Sequence, residues 1–79
     1  MKDEIGNIIR FHRKKSGLTQ KALADIAGVG KTVVFDIENG KNSVRFDNIL
    51  KVAGVLNIKI TYTGPLMKQY LKEALNEES

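Results

Sequence analysis

The sequence predicts an all-α domain of four short helices, followed by a short C-terminal strand and a final helix. Three observations lead to this prediction. Apolar residues recur at three- and four-residue steps in four consecutive segments, as in helices with one buried face. Glycines separate the first three segments, and apolar and polar residues alternate beyond Leu56, as in a strand. We divide the chain into a helical domain at 1–57, a strand at 58–64 and an amphipathic helix at 65–79.

The first helix is predicted from Asp3 to Lys15, and Gly17 should terminate it. Its apolar stripe contains Ile5, Ile8, Ile9 and His12. His12 is the only histidine of the chain. Because it lies on this stripe, we expect a packed core side chain and not a ligand or a general base.

The second and third helices are predicted on either side of a turn at Gly28. The second begins at Thr19, whose side chain can cap free amide groups, and ends at Gly28, because glycine adopts a positive φ at little cost. Val29 is expected to be a buried hinge. The third helix runs from about Lys31 to Asn39. Its outward faces carry Lys31, Thr32, Phe35 and Asp36.

The fourth helix is predicted from about Phe46 to Leu56, after a polar and basic loop. All four helices can share one hydrophobic core. Its predicted members are Ile5, Ile9, Leu18, Leu23, Val29, Val34, Ile37, Phe46, Leu50 and Ala53.

The segment behind the fourth helix is predicted to be a strand in which Ile58, Ile60 and Tyr62 share one face. A lone strand leaves its backbone groups unpaired, so its natural partner is the same strand of a second copy, across a twofold axis. The alternative is an extended tail packed on its own domain. After Pro65, an apolar stripe from Met67 to Leu75 predicts a last helix, which either packs on its own dimer or docks a different protein.

Composition argues against several classes of function. The chain has no cysteine, one histidine and no clustered carboxylates, so we expect no enzyme activity, no metal site and no cofactor. No apolar run approaches the length needed to cross a bilayer, and the N-terminus lacks a secretory core. We therefore expect a cytoplasmic protein without a membrane partner.

The positive charge of the chain is concentrated on the predicted helices. The net charge is +4, from 13 Lys and Arg and 9 Asp and Glu. The part from Arg10 to Arg45 holds eight basic and three acidic residues, a net +5. A basic field over a pair of helices favours double-stranded DNA as the partner. Ordinary solvated surface charge is the alternative.

Three short motifs resemble the lambda-repressor-like helix-turn-helix family in order and spacing. They are Leu18-Thr19-Gln20, Gly28-Val29 and Ile37-Glu38-Asn39-Gly40. The similarity covers about residues 5–58. The run from Val44 to Val52 and the alternating segment behind it are similar to one branch, the HipB-type antitoxins. Gly30 departs from the family, which commonly has a capping Ser or Thr there.

This resemblance implies a homodimer, joined by an intersubunit β ribbon, that represses its own operon and binds a HipA-like kinase toxin. Each subunit would place its third helix in one major groove of an imperfect palindrome. Two alternatives remain open. One is a phage-type repressor without a toxin, and the other is a protein-interaction module that does not read DNA.

The candidate DNA-contacting residues fall into two groups. Base contacts are expected from Gly30, Lys31, Thr32, Val33 and Asp36. Phosphate contacts are expected from Thr19, Gln20, Asn39, Lys41 and Arg45. The alternatives are a phosphate contact for Lys31, burial for Val33, and pairing with a nearby lysine for Asp36. The resemblance also implies an internal ion pair between Arg13 and Glu38.

Overall fold

The computed structural model describes residues 4–77 and contains five helices there. They are α1 (Glu4–Lys15), α2 (Gln20–Ala27), α3 (Lys31–Glu38), α4 (Phe46–Val55) and α5 (Met67–Glu77). This confirms the predicted all-helical domain and the final helix. The predicted helix start at Asp3 and the last two residues of the segment 65–79 lie outside the described residues.

Helix α3 occupies the centre of the bundle and packs against α1, α2 and α4, while α2 also packs against α4. The core is drawn from all four helices. Its fully buried apolar members are Ile9, Leu23, Ala24, Val34, Ile37, Val52 and Ala53. Three of the predicted core residues, Ile5, Leu18 and Val29, are half-buried at its edge. Three neighbouring helices therefore hold the inner side of α3, and its outer side faces away from the bundle.

The buried face of α4 differs from the predicted one. Phe46 and Leu50 are 50% and 44% exposed, whereas Val52 is completely buried. The stripe that faces the core is Ile49, Val52, Ala53 and Leu56. These residues follow the three-, four- and seven-residue spacing of one helical face, and Leu50 lies about 100° away from it. The prediction that Phe46 and Leu50 belong to the core was wrong.

The buried face of α1 also differs from the prediction, because it contains Ile9 and Arg13 and leaves His12 exposed. The Nδ1 atom of His12 lies 2.8 Å from the carbonyl oxygen of Ile8, within its own helix. The prediction of a core histidine was wrong. Ile8 and His12 are neighbours on one side of the helix, but that side is turned about 100° from the line of Ile9 and Arg13.

Helices α1 and α3 approach each other closely at Gly6, which is buried. A Cβ atom at this position would collide with the carbonyl oxygen of Ile37 and lie 3.0 Å from that of Glu38. Glycine disfavours a helix interior by about 1 kcal/mol relative to alanine. Its presence here lets the backbone of α1 lie directly on the last turn of α3.

The segment 58–64 forms no strand, and no strand occurs elsewhere within residues 4–77. The predicted strand is therefore not found in the single chain. A strand is defined by hydrogen bonds to a neighbouring strand, and this chain offers no second alternating segment. Ile58 and Ile60 are half-buried while Lys59 and Thr61 are exposed, so burial alternates as predicted up to Thr61. Tyr62, predicted on the same face as Ile58 and Ile60, is instead exposed. Ile58 packs at the edge of the core.

Helix α5 makes no extensive contact with any of the four bundle helices. The Cα radius of gyration is 15.2 Å, whereas a compact chain of this length would have about 12 Å. Of the side chains described in α5, only Met67 and Ala74 are half-buried. No helix in the described part of the chain is long and apolar enough to cross a membrane.

Candidate nucleic-acid interface

The turn between α2 and α3 sets the direction in which α3 leaves the bundle. Gly28 adopts a left-handed conformation with φ 76° and ψ 31°. The N–H of Val29 donates to the carbonyl of Ala24 at 3.0 Å, and that of Gly28 donates to Asp25 at 3.3 Å. This pair of bonds ends a helix at a glycine and satisfies its last carbonyl groups. Gly30 then begins α3 without a side-chain cap.

The N-terminus of α2 is capped by Thr19, whose Oγ1 accepts a hydrogen bond from the N–H of Ala22 at 3.0 Å. Thr19 itself is exposed. Its hydroxyl acts there as the acceptor, so its hydrogen can still be donated to another group. The first amide groups of α2 and the positive end of its dipole add to this donor-rich surface.

An open groove of about 350 Å³ lies between the start of α2 and the outer side of α3. Its lining residues are Gln20, Lys31, Thr32 and Phe35. Lys31 and Thr32 are exposed in the first turn of α3, and Phe35 follows one turn later. The groove thus combines an ammonium group, an amide, a hydroxyl and an aromatic ring on one rigid surface.

A buried ion pair joins α1 to the end of α3. Arg13 Nε donates to Glu38 Oε2 at 2.6 Å, and a terminal guanidinium nitrogen donates to Oε1 at 3.0 Å. The Arg13 and Glu38 side chains are 10% and 2% exposed. Gln20 Nε2 donates to the same Oε1 at 3.1 Å. One carboxylate therefore orients α1, α3 and the groove side chain at the start of α2.

The ionisation of this pair is stabilised by its own hydrogen bonds. Burial raises the pKa of the Glu38 carboxyl, but hydrogen bonds from Arg13 and Gln20 and the charges of Arg13 and Arg10 outweigh burial. The net pKa of Glu38 is lower than its usual value. The hydrogen bond with Glu38 raises the pKa of Arg13 against the opposing effect of burial. Both groups are charged at neutral pH.

Each acidic residue between Arg10 and Arg45 lies beside a basic one. Besides Glu38, Asp25 Oδ2 lies 3.1 Å from Lys21 Nζ, and Asp36 Oδ2 lies 3.6 Å from Lys41 Nζ. Lys31 makes no ion pair within residues 4–77. No ion pair among the described residues therefore neutralises the positive charge of Lys31 at the groove, whereas the acidic residues of α3 are paired.

The remaining predicted contact residues divide by burial. Val33 is half-buried against the core, and the Asp36 side chain is 22% exposed beside Lys41. Asn39, Lys41 and Arg45 are exposed around the loop after α3. Asn39 Nδ2 donates to the carbonyl of Phe35 at 2.7 Å, and Arg45 pairs with Asp47 at 3.2 Å.

Two features of this surface were not predicted from the sequence. Phe35 lines the groove although the predicted base contacts omit it, and Gln20 is tied to Glu38. The spacing from Lys31 to Phe35 is four residues, which places both on one helical face and could have identified Phe35. The bond between Gln20 and Glu38 joins residues 18 positions apart, and no local sequence signal indicates it. The described residues contain no cluster able to hold a metal ion.

This arrangement of two short helices, a glycine turn and an exposed second helix defines a class of protein. The family model described as helix-turn-helix matches residues 9–62. The chain belongs to this helix-turn-helix family.

Two relatives are similar over most of this chain. An uncharacterized HTH-type transcriptional regulator, y4mF, from Sinorhizobium fredii is 36% identical over 62 residues, which is 78% of this chain and 82% of the relative. A putative HTH-type transcriptional regulatory protein from Methanobrevibacter smithii is 29% identical over 68 residues, 86% of this chain but 22% of the relative. Most of the second relative therefore has no counterpart here.

Proposed function

We propose that the protein is a sequence-specific transcriptional regulator that binds double-stranded DNA through the outer side of α3. The observation that carries this proposal is the exposed first turn of α3, where Lys31 has no acidic partner in the described chain and Thr32 lies beside it. Family membership and the names of the two relatives support the same function.

In this proposal the two helices have different tasks. The first turn of α3 enters the major groove, where Lys31 reaches guanine acceptors and Thr32 contacts a base edge. Gly30 lets the backbone come close, and Val33 supports the helix from its half-buried side. The amide groups at the start of α2, with Thr19 and Gln20, bind a phosphate. Three exposed residues after α3 bind the same strand, namely Asn39, Lys41 and Arg45.

We do not assign Asp36 a base contact in this proposal, although its position in α3 alone would suggest one. Its carboxylate lies beside Lys41 Nζ and is mostly buried. A base contact to a cytosine amino group would require it to leave that lysine. We retain Asp36 as a group that orients Lys41 on the loop after α3.

The proposed regulator acts as a homodimer in the cytoplasm. Segment 58–64 joins two copies in an antiparallel ribbon, because Ile58 and Ile60 alternate in burial with Lys59 and Thr61 and no strand within residues 4–77 pairs with this segment. The exposed apolar residues of α4 and α5 include Phe46, Leu50, Tyr70, Leu71 and Leu75. A second copy that covers part of this surface would explain its exposure. The two α3 helices would then reach half-sites one helical turn apart.

The finer function that we propose is that of a HipB-like antitoxin, which represses its own operon and binds a HipA-like kinase toxin. Support comes from the resemblance of the run from Val44 to Val52. Co-expression with the product of the neighbouring gene and joint purification test this step. If the neighbouring gene encodes no kinase, a plain repressor of the same DNA-binding mode remains.

The experiment that tests DNA binding uses two variants of α3 and a matched control. Lys31→Ala and Thr32→Ala each remove one proposed base contact, and each should weaken binding to a selected site by about 5- to 150-fold. Lys68→Ala removes the same charge from α5 and should change affinity by less than about twofold. The probe is a duplex selected from a random-sequence library with the wild-type protein.

The salt dependence of the same binding distinguishes regulator from interaction module. Wild-type affinity should fall steeply with salt, since each phosphate contact contributes about −0.9 to the slope of log affinity against log salt. Unchanged affinity and selectivity in Lys31→Ala and Thr32→Ala would remove α3 as the reading helix. If the protein enriches no sequence from the library and binds no duplex, it is a protein-interaction module instead. The exposed apolar residues of α5 support that alternative.

A further inference from the structure

Phe35 is the one large apolar side chain on the outer side of α3 that the bundle leaves half in water. Phe35 is 51% exposed. The other apolar residues of α3 are covered, since Val34 and Ile37 are buried and Val33 is half-buried. Phe35 therefore adds little to the core of the monomer. Its ring forms part of the groove surface instead.

The position of Phe35 within the groove decides what its ring can contact. Lys31, Thr32 and Phe35 line the same groove together with Gln20. Phe35 follows Lys31 by four residues, one turn further along the same face of the helix. Asp36, the neighbouring candidate at this depth, is held beside Lys41 and is 22% exposed. One turn after Lys31, the groove surface of α3 therefore carries the ring of Phe35 and not the carboxylate of Asp36.

The major groove of DNA offers one apolar group at the base edges, the 5-methyl group of thymine, whereas guanine, adenine and cytosine present polar atoms there. An aromatic ring cannot satisfy those polar atoms, but it can remove a methyl group and its own exposed face from water. We infer that Phe35 is a specificity-determining residue that selects a 5-methylpyrimidine, thymine in unmodified DNA, in each half-site. This inference rests on the proposed function.

The test uses a duplex selected from a random-sequence library by the wild-type protein. Each thymine is replaced in turn by deoxyuridine, which removes the methyl group and leaves the base pair intact. At one thymine per half-site, this change should weaken wild-type binding about fourfold, the size expected for one buried methyl group. The same replacement should have no effect on binding by Phe35→Ala.

Three further variants separate Phe35 from other sources of the effect. Thr32→Ser removes the second methyl group near the reading face, keeps the hydroxyl, and should leave the fourfold deoxyuridine effect at the Phe35 position. Phe11→Ala removes an exposed ring of α1, 60% exposed, and should behave as wild type. Phe35→Leu keeps an apolar side chain and should retain part of the effect. The deoxyuridine measurements on the wild-type protein remain informative even if a variant fails to fold.

A cytosine arm identifies the methyl group as the recognised feature. With a C·G pair at the same position, 5-methylcytosine should bind more tightly than cytosine to wild type and equally to Phe35→Ala. Deoxyuridine effects that are absent everywhere, or equal in wild type and Phe35→Ala, would overturn the inference while DNA binding stands. A library that yields no selected site would overturn the proposed function, and this inference with it.

Discussion

Helices α1 and α5 have similar lengths, 12 and 11 residues, and both place apolar residues along one face. Their surroundings differ. Ile9 of α1 is completely buried against α3, whereas Leu75 of α5 is 71% exposed. An amphipathic pattern therefore specifies the helix and the side that avoids water, but it does not specify the partner. In the bundle that partner is another part of the chain.

The same contrast extends to polar groups. On α1, Arg13 is buried and its guanidinium donates to Glu38 on α3 and to the carbonyl of Leu18. Within α5, Gln69 Nε2 donates to Glu73 Oε2 at 2.9 Å, a contact local to that helix. Contacts between distant parts of the chain therefore fix α1 relative to α3.

Among the substitutions expected to leave the bundle folded, removal of one partner from the buried ion pair should have the largest effect. Arg13→Leu leaves the Glu38 carboxylate buried with Gln20 alone, and we expect a loss of about 3–5 kcal/mol in the free energy of unfolding, measured with urea. Lys14→Leu removes the same charge from the exposed side of α1 and should cost less than about 0.5 kcal/mol. Equal losses would show that the pair does not hold α1 to α3.

The same pair predicts a dependence of stability on pH. The folded-state pKa of Glu38 is lowered, so the unfolded state binds its proton more readily. The stabilisation is present above the unfolded value, about 4.3, and is lost as pH falls through the lower folded value. When urea unfolding is measured from about pH 6 down to about pH 3, the free energy of unfolding should fall more steeply for wild type than for Glu38→Gln. Parallel curves would contradict the assignment.

Gly6 tests the close approach of α1 to α3. Gly6→Ala places a methyl group against the backbone of the last turn of α3, and we expect a loss of about 3 kcal/mol, the upper end for overpacking. Asn7→Ala is the matched control, because Asn7 is exposed in the same helix. A Gly6→Ala variant that is more stable than wild type, as helix propensity alone predicts, would show that the helices can separate.

Helix α4 provides a comparison within one element. Val52→Ala removes two methyl groups from a fully buried position and should cost about 2 kcal/mol. Leu50→Ala, at a position that is 44% exposed, should cost less than half as much in the monomer. A larger loss of stability for Leu50→Ala than for Val52→Ala would show that Leu50 belongs to the core, as the sequence predicted.

These residues also indicate how far the sequence determines the fold. The helix bounds were predictable because their signals are local, such as the cap at Thr19 and the left-handed conformation of Gly28. The phase of α4 was not, since Phe46, Leu50 and Val52 are all apolar and two overlapping stripes fit the same segment. Only packing against α2 and α3 selects between them.

The candidate site was predictable to a similar degree. The exposed start of α3 follows from the turn at Gly28, so Lys31 and Thr32 could be placed on its outer side in advance. The position of Asp36 beside Lys41 depends on the path of the loop after α3, which no periodicity encodes. The proposed pairing of segment 58–64 would involve a second copy of the chain, and the alternation of residues does not specify how two copies would be oriented.

The smallest expected effect on the monomer distinguishes the two regions most directly. Leu71→Lys and Leu75→Lys together place two charges on the apolar face of α5. Because both side chains are already exposed, the free energy of unfolding at the lowest protein concentration should change by less than about 0.5 kcal/mol. Ile9→Lys, a single charge at a fully buried position of α1, should unfold the bundle.

Protein concentration adds the second half of this test. If a second copy covers α5, the melting temperature of the wild type should rise with concentration, since association stabilises only the folded state. That rise should shrink or disappear in the double-lysine variant, with a corresponding loss of dimer in sedimentation equilibrium. A large loss of stability that does not depend on concentration would place the partner of α5 within its own chain, and α5 would then resemble α1 after all.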